Sequence, residues 1–398
     1  IVVGGGISGL LAARRLTDAG VNVTVLDQND YLGGALGAHK VAGLVLDSGA
    51  ESYATRTPTV TNLVKELGLG DQIVHPNSHG SWLYLPQGAR KTPSTGIMGI
   101  PGDLSDKSLA GVLGKSGLRR ARMDKVLPAS VGANAKTLGE LVRARMGKKV
   151  LDNLVAPVVS GVYSTHPDML DIDAVIPGLR EGLKKHKSLA AASAAIRAQA
   201  PAGSQVAGLS GGMQIEQLIE KMPAPVRYIP ECGVIAVDRD PITNEWVVIR
   251  RRSDGEKAAS VGADYLVIAT DGSTAARLLG PHIKGSSLPN IDPGPEVALV
   301  TLVVDQPALN SNPRGTGLLV SEAVTNVRAK ALTHATAKWA WVAEEAGKNR
   351  HVVWLSYGRG GEQSTFSDVS LDEDQLITLA LRDASKLLDV PITAQNLV

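Results

Sequence analysis

The sequence predicts an α/β fold with three parts: a parallel-sheet nucleotide-binding domain, a helical insert and a domain built on an antiparallel sheet. Three observations predict it. A glycine-rich turn, Gly4-x-Gly6-x-x-Gly9, stands between a strand-like run and a helix-like run at the start of the chain. Strand patterning then fades over residues 101–200, where Leu, Ala, Lys and Arg recur at helical spacing. Beyond residue 226 short β-forming runs return, divided by turn residues.

The elements follow in order. Residues 1–3 are β-formers, residues 10–16 carry apolar side chains with a helical period, Gly20 stops the helix, and residues 21–26 form a second strand. That is half of a parallel βαβ unit. A helix is expected over 57–68, opened by Thr57-Pro58 and closed by Gly68. Pro128, Pro157, Pro167 and Pro177 break the long helical stretch. A short helix over 213–222 leads into β runs at Val226–Ile229, 234–237, Trp246–Arg250 and 265–269, which Asn244 and Ser253-Asp254-Gly255 divide as a meander. Further strands are expected at 297–304, Gly317–Val320 and 351–357, and a last helix over 371–388 with Ser370 and Glu373 as a capping box. This order implies discontinuous domains. Residues 1–75 and 204–275 form the nucleotide domain, 90–200 the basic helical insert, and 76–89 with 276–398 a substrate domain.

Composition narrows the function. With 398 residues, 43% hydrophobic and 20% charged, the chain is an ordinary globular one, which excludes disordered and fibrous classes. No apolar run approaches the ~20 residues that span a bilayer. The single cysteine, Cys232, excludes a disulfide framework and every Cys-based metal site, and fits a reducing, cytoplasmic compartment. His75 and His79 flank Pro76 with no third ligand nearby, so no metal is expected. Residues 111–116 approach a P-loop, but its first glycine falls on Leu109. The net charge of +2 is too small to imply nucleic acid. Its distribution is uneven: residues 101–190 hold 15 Lys and Arg against 9 Asp and Glu. Such a segment is either a solvated helical surface, a funnel for a polyanionic substrate, or a face that leans on anionic lipid.

The chemistry lies in the glycine turn. Gly4 permits the tight turn, Gly6 lets backbone approach a pyrophosphate, and Gly9 lets helix and strand pack closely. The helix N-terminus favours phosphate, and Asp27, at the end of the second strand, is placed to accept hydrogen bonds from ribose hydroxyls. A second glycine pair, Gly33-Gly34 before Ala35, and then Gly49-Ala50-Glu51-Ser52, would be superfluous in a nicotinamide domain. They resemble the second glycine pair of flavoproteins like glutathione reductase and the amine oxidases, where it lets the chain cross close to the phosphates and ring of an extended FAD. Ser210-Gly211-Gly212-Met213-Gln214 precedes a helix, and Val234 follows on a strand that could bracket an adenine. The expected cofactor-binding set is Gly4, Gly5, Gly6, Ile7, Ser8, Gly9, Asp27, Gln28, Gly33, Gly34, Ala35, Gly49, Ala50, Glu51, Ser52 and Val234. The domain is expected to be Rossmann-like and resembles those of the glutathione-reductase and amine-oxidase type.

These residues carry a resemblance. The string Val2-Val3-Gly4-Gly5-Gly6-Ile7-Ser8-Gly9-Leu10, with Gly49-Ala50-Glu51-Ser52, Gly161-Val162-Tyr163 before Asp168, and the segment 210–214, resembles the oxygen-dependent porphyrinogen oxidases of haem synthesis. These are protoporphyrinogen oxidase and the HemY-type coproporphyrinogen III oxidase. The resemblance runs from Ile1 to about Leu388. It implies an FAD domain, an antiparallel-sheet substrate domain, and a helical domain that packs on membrane in some members. It also implies a reaction, in which a porphyrinogen loses six hydrogens in three flavin cycles and O2 reoxidises FAD to give H2O2. Hydride leaves a methylene bridge for flavin N5, and water can relay the pyrrole proton, so no catalytic side chain is nominated.

Coproporphyrinogen III is the preferred substrate, because the basic insert suits four carboxylates and no hydrophobic membrane patch is evident. Protoporphyrinogen IX is the near alternative. An amine oxidase or desaturase of the same fold, and a flavin-binding protein without turnover, stay open. Arg56 is the candidate propionate partner, with an exposed surface residue as its plain alternative. Cys232 is expected to be a packed thiol, and 250–252 a solvated arginine run. The chain departs from the family where Gly37 and Ala38 replace an arginine after the glycine pair. It is also expected to be a fragment, with a shortened first strand and a flavin-closing segment beyond Val398.

Overall fold

The computed structural model describes residues 1–94, 96–199, 205–213, 226–251, 259–283, 291, 294–358 and 371–398. The chain divides into two compact units, Ile1–Tyr53 with Thr57–Ile73 and Gly208–Gly294, and Ala54–Arg56 with Val74–Ala207 and Pro295–Val398.

In the first unit, strand β1 (Val2–Val3), helix α1 (Ile7–Asp18) and strand β2 (Val23–Leu26) form the expected βαβ start. Ala19 caps the helix C-terminus and Gly20 follows with φ +81°, which turns the chain back into β2. The parallel sheet has the order Val226–Ile229, β2, β1, Val267–Ile268. Alternation sorts its side chains. Val2, Val23 and Val25 share a cluster with Ala13 of α1, whereas Val3 and Leu26 pack with Val234, Val237, Val248 and Leu278. Each such burial is worth roughly 1.5–3 kcal/mol, and a one-residue slip would turn every side chain to the wrong layer.

The second face is covered by a meander of Val234–Arg239, Trp246–Arg250 and Ala259–Ala263. The sequence reading put Val226–Ile229 and residues 265–269 into that meander. Both pair instead in the parallel sheet, and the third strand, Ala259–Ala263, was not anticipated. Its alternation is weak because three of its residues face solvent. The expected helix over 213–222 and the turn Ser253-Asp254-Gly255 lie outside the described residues, apart from Met213.

In the second unit a six-stranded sheet runs Ala298–Asp305, Arg350–Tyr357, Ala331–His334, Gly317–Val320, Trp82–Leu85, Gly88–Lys91. All neighbours are antiparallel except Gly317–Val320 with Trp82–Leu85. The hairpin 82–91 explains why residues 90–200 group with 76–89 and 295–398 in one unit rather than forming a separate insert. Leu83 and Leu85 belong to the helical core with Leu109, Leu113, Leu141 and Val155. Trp82 and Tyr84, pointing the other way, pack with Leu318, Leu332 and the helix Glu373–Leu388. The sheet is a shared wall between the two layers.

The helical layer includes Leu109–Arg122, Leu138–Met146, Ala156–Tyr163, Leu179–His186 and Leu189–Gln199. Pro157 does not end the helical run: it directly follows a π-helical turn, Leu151–Val155, in the first turn of the α-helical segment Ala156–Tyr163. Residues 111–116 lie inside the first helix, with a kink at Gly114 (φ 64°), so the near P-loop is no phosphate loop. The layer's fixed point is ionic. Arg145 and Asp124 are both fully enclosed, with Nε–Oδ1 at 2.7 Å, and Asp124 also accepts from Ser188 Oγ and the Leu189 and Ala190 N–H groups. The last helix starts at Glu373 with Asp372 and Gln375 as its capping box, a register two residues later than Ser370 and Glu373. Ser370 itself lies outside the described residues.

Candidate functional site

The glycine turn is built by close approach. A Cβ on Gly9 would lie 1.9 Å from the Gly4 carbonyl oxygen, so only glycine lets α1 sit this near the end of β1. Around Gly6 a Cβ would meet nothing within 4 Å, and the N-terminus of α1 has no side-chain cap. Free N–H groups therefore open onto vacant space, as a phosphate requires. Ile7 is half-buried and Ser8 exposed in the first turn.

Asp27 directly follows β2 and braces this turn. Its Oδ2 accepts the Gly5 N–H at 2.6 Å and its Oδ1 the Asn29 N–H at 2.8 Å. A carboxylate has about four lone-pair sites, so these two bonds leave capacity for ribose hydroxyls. Asp27 thus has a structural task that its motif position alone did not reveal.

The strand ends form a continuous groove. A cleft of about 180 Å³ is lined by Gly4, Gly6, Asp27, Gln28 and Val234, and also by Cys232, Thr270, Asp271, Thr274 and Arg277. It shares Gln28, Asn29, Val234 and Arg277 with a larger hollow of about 790 Å³ that Arg251 and Glu231 border. A crevice outside the carboxyl ends of parallel strands is where nucleotides bind in α/β sheets.

The sequence reading missed the Thr270–Arg277 contribution. A signal was present: Asp271 stands three residues after the strand Val267–Ile268 and starts a helix, Gly272–Leu279, as its N-cap. The Ser273 hydroxyl and the Thr274 N–H donate to Asp271 Oδ1 at 2.6 and 2.9 Å, which holds its carboxyl far below the usual range. Cys232 is buried as expected, yet it borders the cleft, with its N–H donating to the Asp27 carbonyl at 2.6 Å.

Gly33, Gly34 and Ala35 do not line this cleft; they make a second layer joined to it through a bridge between Gly6 and Gly33. The 49–52 segment lies on that layer. Ser48 and Ala50 donate to the Gly37 and Ala35 carbonyls at 2.8 and 2.7 Å, and a Cβ on Gly49 would fall 2.4 Å from the Ala35 oxygen. Glu51 and Ser52 are half-buried beyond it. The Gly211-Gly212 turn reaches the same neighbourhood through Asp47, which accepts the Met213 N–H at 2.8 Å. Gln214 and Arg252 lie outside the described residues. Arg56 is exposed and belongs to the second unit.

The set fits FAD on this geometry: an uncapped helix N-terminus facing open space, a carboxylate at the ribose position and a groove continuing past Val234. Gly4 to Gly9 would hold the pyrophosphate and Asp27 the ribose. Among the described residues no group of three or more His, Cys, Asp or Glu could hold a metal ion, and no helix is long and apolar enough to cross a membrane.

Comparison with known proteins gives the following. Residues 7–397 match the family described as flavin containing amine oxidoreductase. Coproporphyrinogen III oxidase of Bacillus subtilis (strain 168) is 25% identical over 98% of this chain and 83% of its own length. That of Mycobacterium leprae (strain TN) is 29% identical over 98% of this chain and 83% of its own. The crystal structure of a provisionally assigned protoporphyrinogen oxidase from Exiguobacterium sp. 255-15 has a TM-score of 0.83 at 25% identity, covering all of this chain and 84% of that one. Putrescine oxidase bound to putrescine shares the fold at 14% identity and a TM-score of 0.61, over 97% of this chain and 80% of that one.

Proposed function

The chain belongs to the flavin containing amine oxidoreductase family, and within it we propose that the protein oxidises a porphyrinogen to a porphyrin, with coproporphyrinogen III the preferred substrate and O2 the final acceptor. The observation that carries this reading is the match to coproporphyrinogen III oxidases along 98% of the chain. Bound FAD supplies the hydride acceptor. The residues of this chain that would hold it are the N–H groups opening α1 for its phosphates, Asp27 for its ribose, and Gln28 and Val234 for its adenine end. The basic helical layer supports a substrate with four carboxylates over one with two.

The same layer supports contact with a membrane surface. Met123 is 46% and Val126 78% exposed, an apolar pair that composition alone did not show, and Arg122 and Lys125 stand exposed beside them.

Anaerobic titration tests the reading. Oxidised-flavin absorbance should bleach with coproporphyrinogen III, more slowly with protoporphyrinogen IX, and stay unchanged with putrescine. Readmitted air should then yield H2O2 and porphyrin together. Bleaching by the amine alone would transfer the protein to the amine oxidases, and bleaching by none would leave a flavin-binding protein without turnover.

A further inference from the structure

Outside the cleft, one buried carboxylate is tied to the cofactor layer by independent contacts. Asp47 ends the strand Leu44–Asp47 and is 9% exposed. Its Oδ1 accepts the Met213 N–H, and the preceding turn wraps it, with Gly211 and Gly212 both left-handed at φ 82° and 88°. A Cβ on Gly212 would stand 2.9 Å from that same oxygen. On the other side, Asp47 leads directly into Ser48–Ala50, which the Ala35 and Gly37 carbonyls fix. The position is costly. Burial pushes the Asp47 carboxyl up to about 6; the Met213 N–H offsets part of this and the Glu51 charge adds to it. A carboxylate kept at such a cost is more common at functional sites than in ordinary cores.

We propose that Asp47 is a positioning residue for the flavin: its carboxylate fixes the Gly211–Met213 turn against the layer formed by Gly33–Gly37 and Ser48–Ser52, so that two backbone segments far apart in sequence are set before FAD binds. The proposal rests on the reading of that layer as part of the FAD site. It gives Asp47 no contact with the substrate and no part in proton transfer. The gain is preorganisation, since ordering a glycine pair during binding would subtract from affinity.

The test is FAD affinity of the apoprotein, read by quenching of flavin fluorescence, for the parent, Asp47→Asn, Asp47→Ala and Gly212→Ala. Asp47→Asn keeps an oxygen for the Met213 N–H and should bind within about threefold of the parent. Asp47→Ala loses a hydrogen bond to a charged group and should bind about ten- to a hundredfold more weakly. Gly212→Ala leaves Asp47 in the chain but crowds its carboxylate and strains the left-handed turn that the carboxylate fixes, and should weaken binding in the same sense. It decides the matter if Asp47→Ala does not fold. Equal affinity for the parent, Asp47→Ala and Gly212→Ala would overturn the proposal while leaving the FAD site intact. A parent that binds no FAD would overturn the site reading itself.

Discussion

Replacing Asp27 tests the cofactor site at its most constrained atom. Two N–H donors, Gly5 at 2.6 Å and Asn29 at 2.8 Å, converge on its two oxygens. Bonds of this charged kind contribute roughly 1.5–3 kcal/mol each. In Asp27→Ala the Asn29 N–H borders the cleft, where water recovers much of its hydration, while the buried Gly5 N–H loses its acceptor, so the apoprotein should lose about 1.5–3 kcal/mol. FAD affinity carries a further loss, because the ribose hydroxyls also lose their acceptor. One such bond, again about 1.5–3 kcal/mol, corresponds to roughly 10- to 150-fold in Kd. Asp27→Asn is the sharper variant. Its amide offers one oxygen for two donors, so an NH2 group must face an N–H, and it should retain FAD no better than alanine. The assay is titration of apoprotein with FAD, followed by dialysis and measurement of retained flavin. If Asp27→Ala binds within about threefold of the parent, or Asp27→Asn binds as the parent does, Asp27 neither braces the turn nor holds the ribose.

Three further outcomes follow from the second unit. Asp124→Ala leaves the enclosed Arg145 guanidinium without its anion and uncaps the helix Leu189–Gln199; urea unfolding should show a loss of about 3–5 kcal/mol, and a loss under about 1 would refute the buried-pair account. His334 Nε2 lies 3.1 Å from His351 Nδ1 in an enclosed pair; burial first, then the His351 charge, pushes His334 down to about 3, and burial lowers His351 too. The unfolded chain therefore binds protons that the folded pair refuses, so this stability is complete above about pH 6.5 and is lost as pH falls towards 3, by on the order of 4 kcal/mol for His334. His334→Phe should flatten that acid limb in thermal melts, and an unchanged slope would exclude the pair as its source. Sedimentation with anionic vesicles should fall with added salt and in Met123→Ser/Val126→Ser, while a parent that ignores such vesicles would leave the exposed pair without that role.

What the sequence by itself determined is the part of the molecule governed by local geometry. The spacing Gly4, Gly6, Gly9 is legible because each position is required within one turn of chain, and Asp27 because it directly follows the next strand. Helical character over residues 109–199 is legible for the same reason, since a helix's bonds and its amphipathic period lie within four residues. The family resemblance rests on such short strings. Partners distant in sequence needed the tertiary structure. Nothing local marks Val226–Ile229 as the neighbour of β2 rather than of the following strand, because a parallel pairing is set by which face must be buried. Nothing in residues 82–91 announces that Leu83 and Leu85 face the helices while Trp82 and Tyr84 face the opposite layer. Thr270, Asp271 and Arg277 reach the cleft only because Val267–Ile268 pairs beside β1, and Asp47 meets Met213 across 166 positions of sequence. Short glycine turns are specified by sterics of neighbouring atoms; a cleft is specified by strand order, and strand order is decided by burial of the whole sheet.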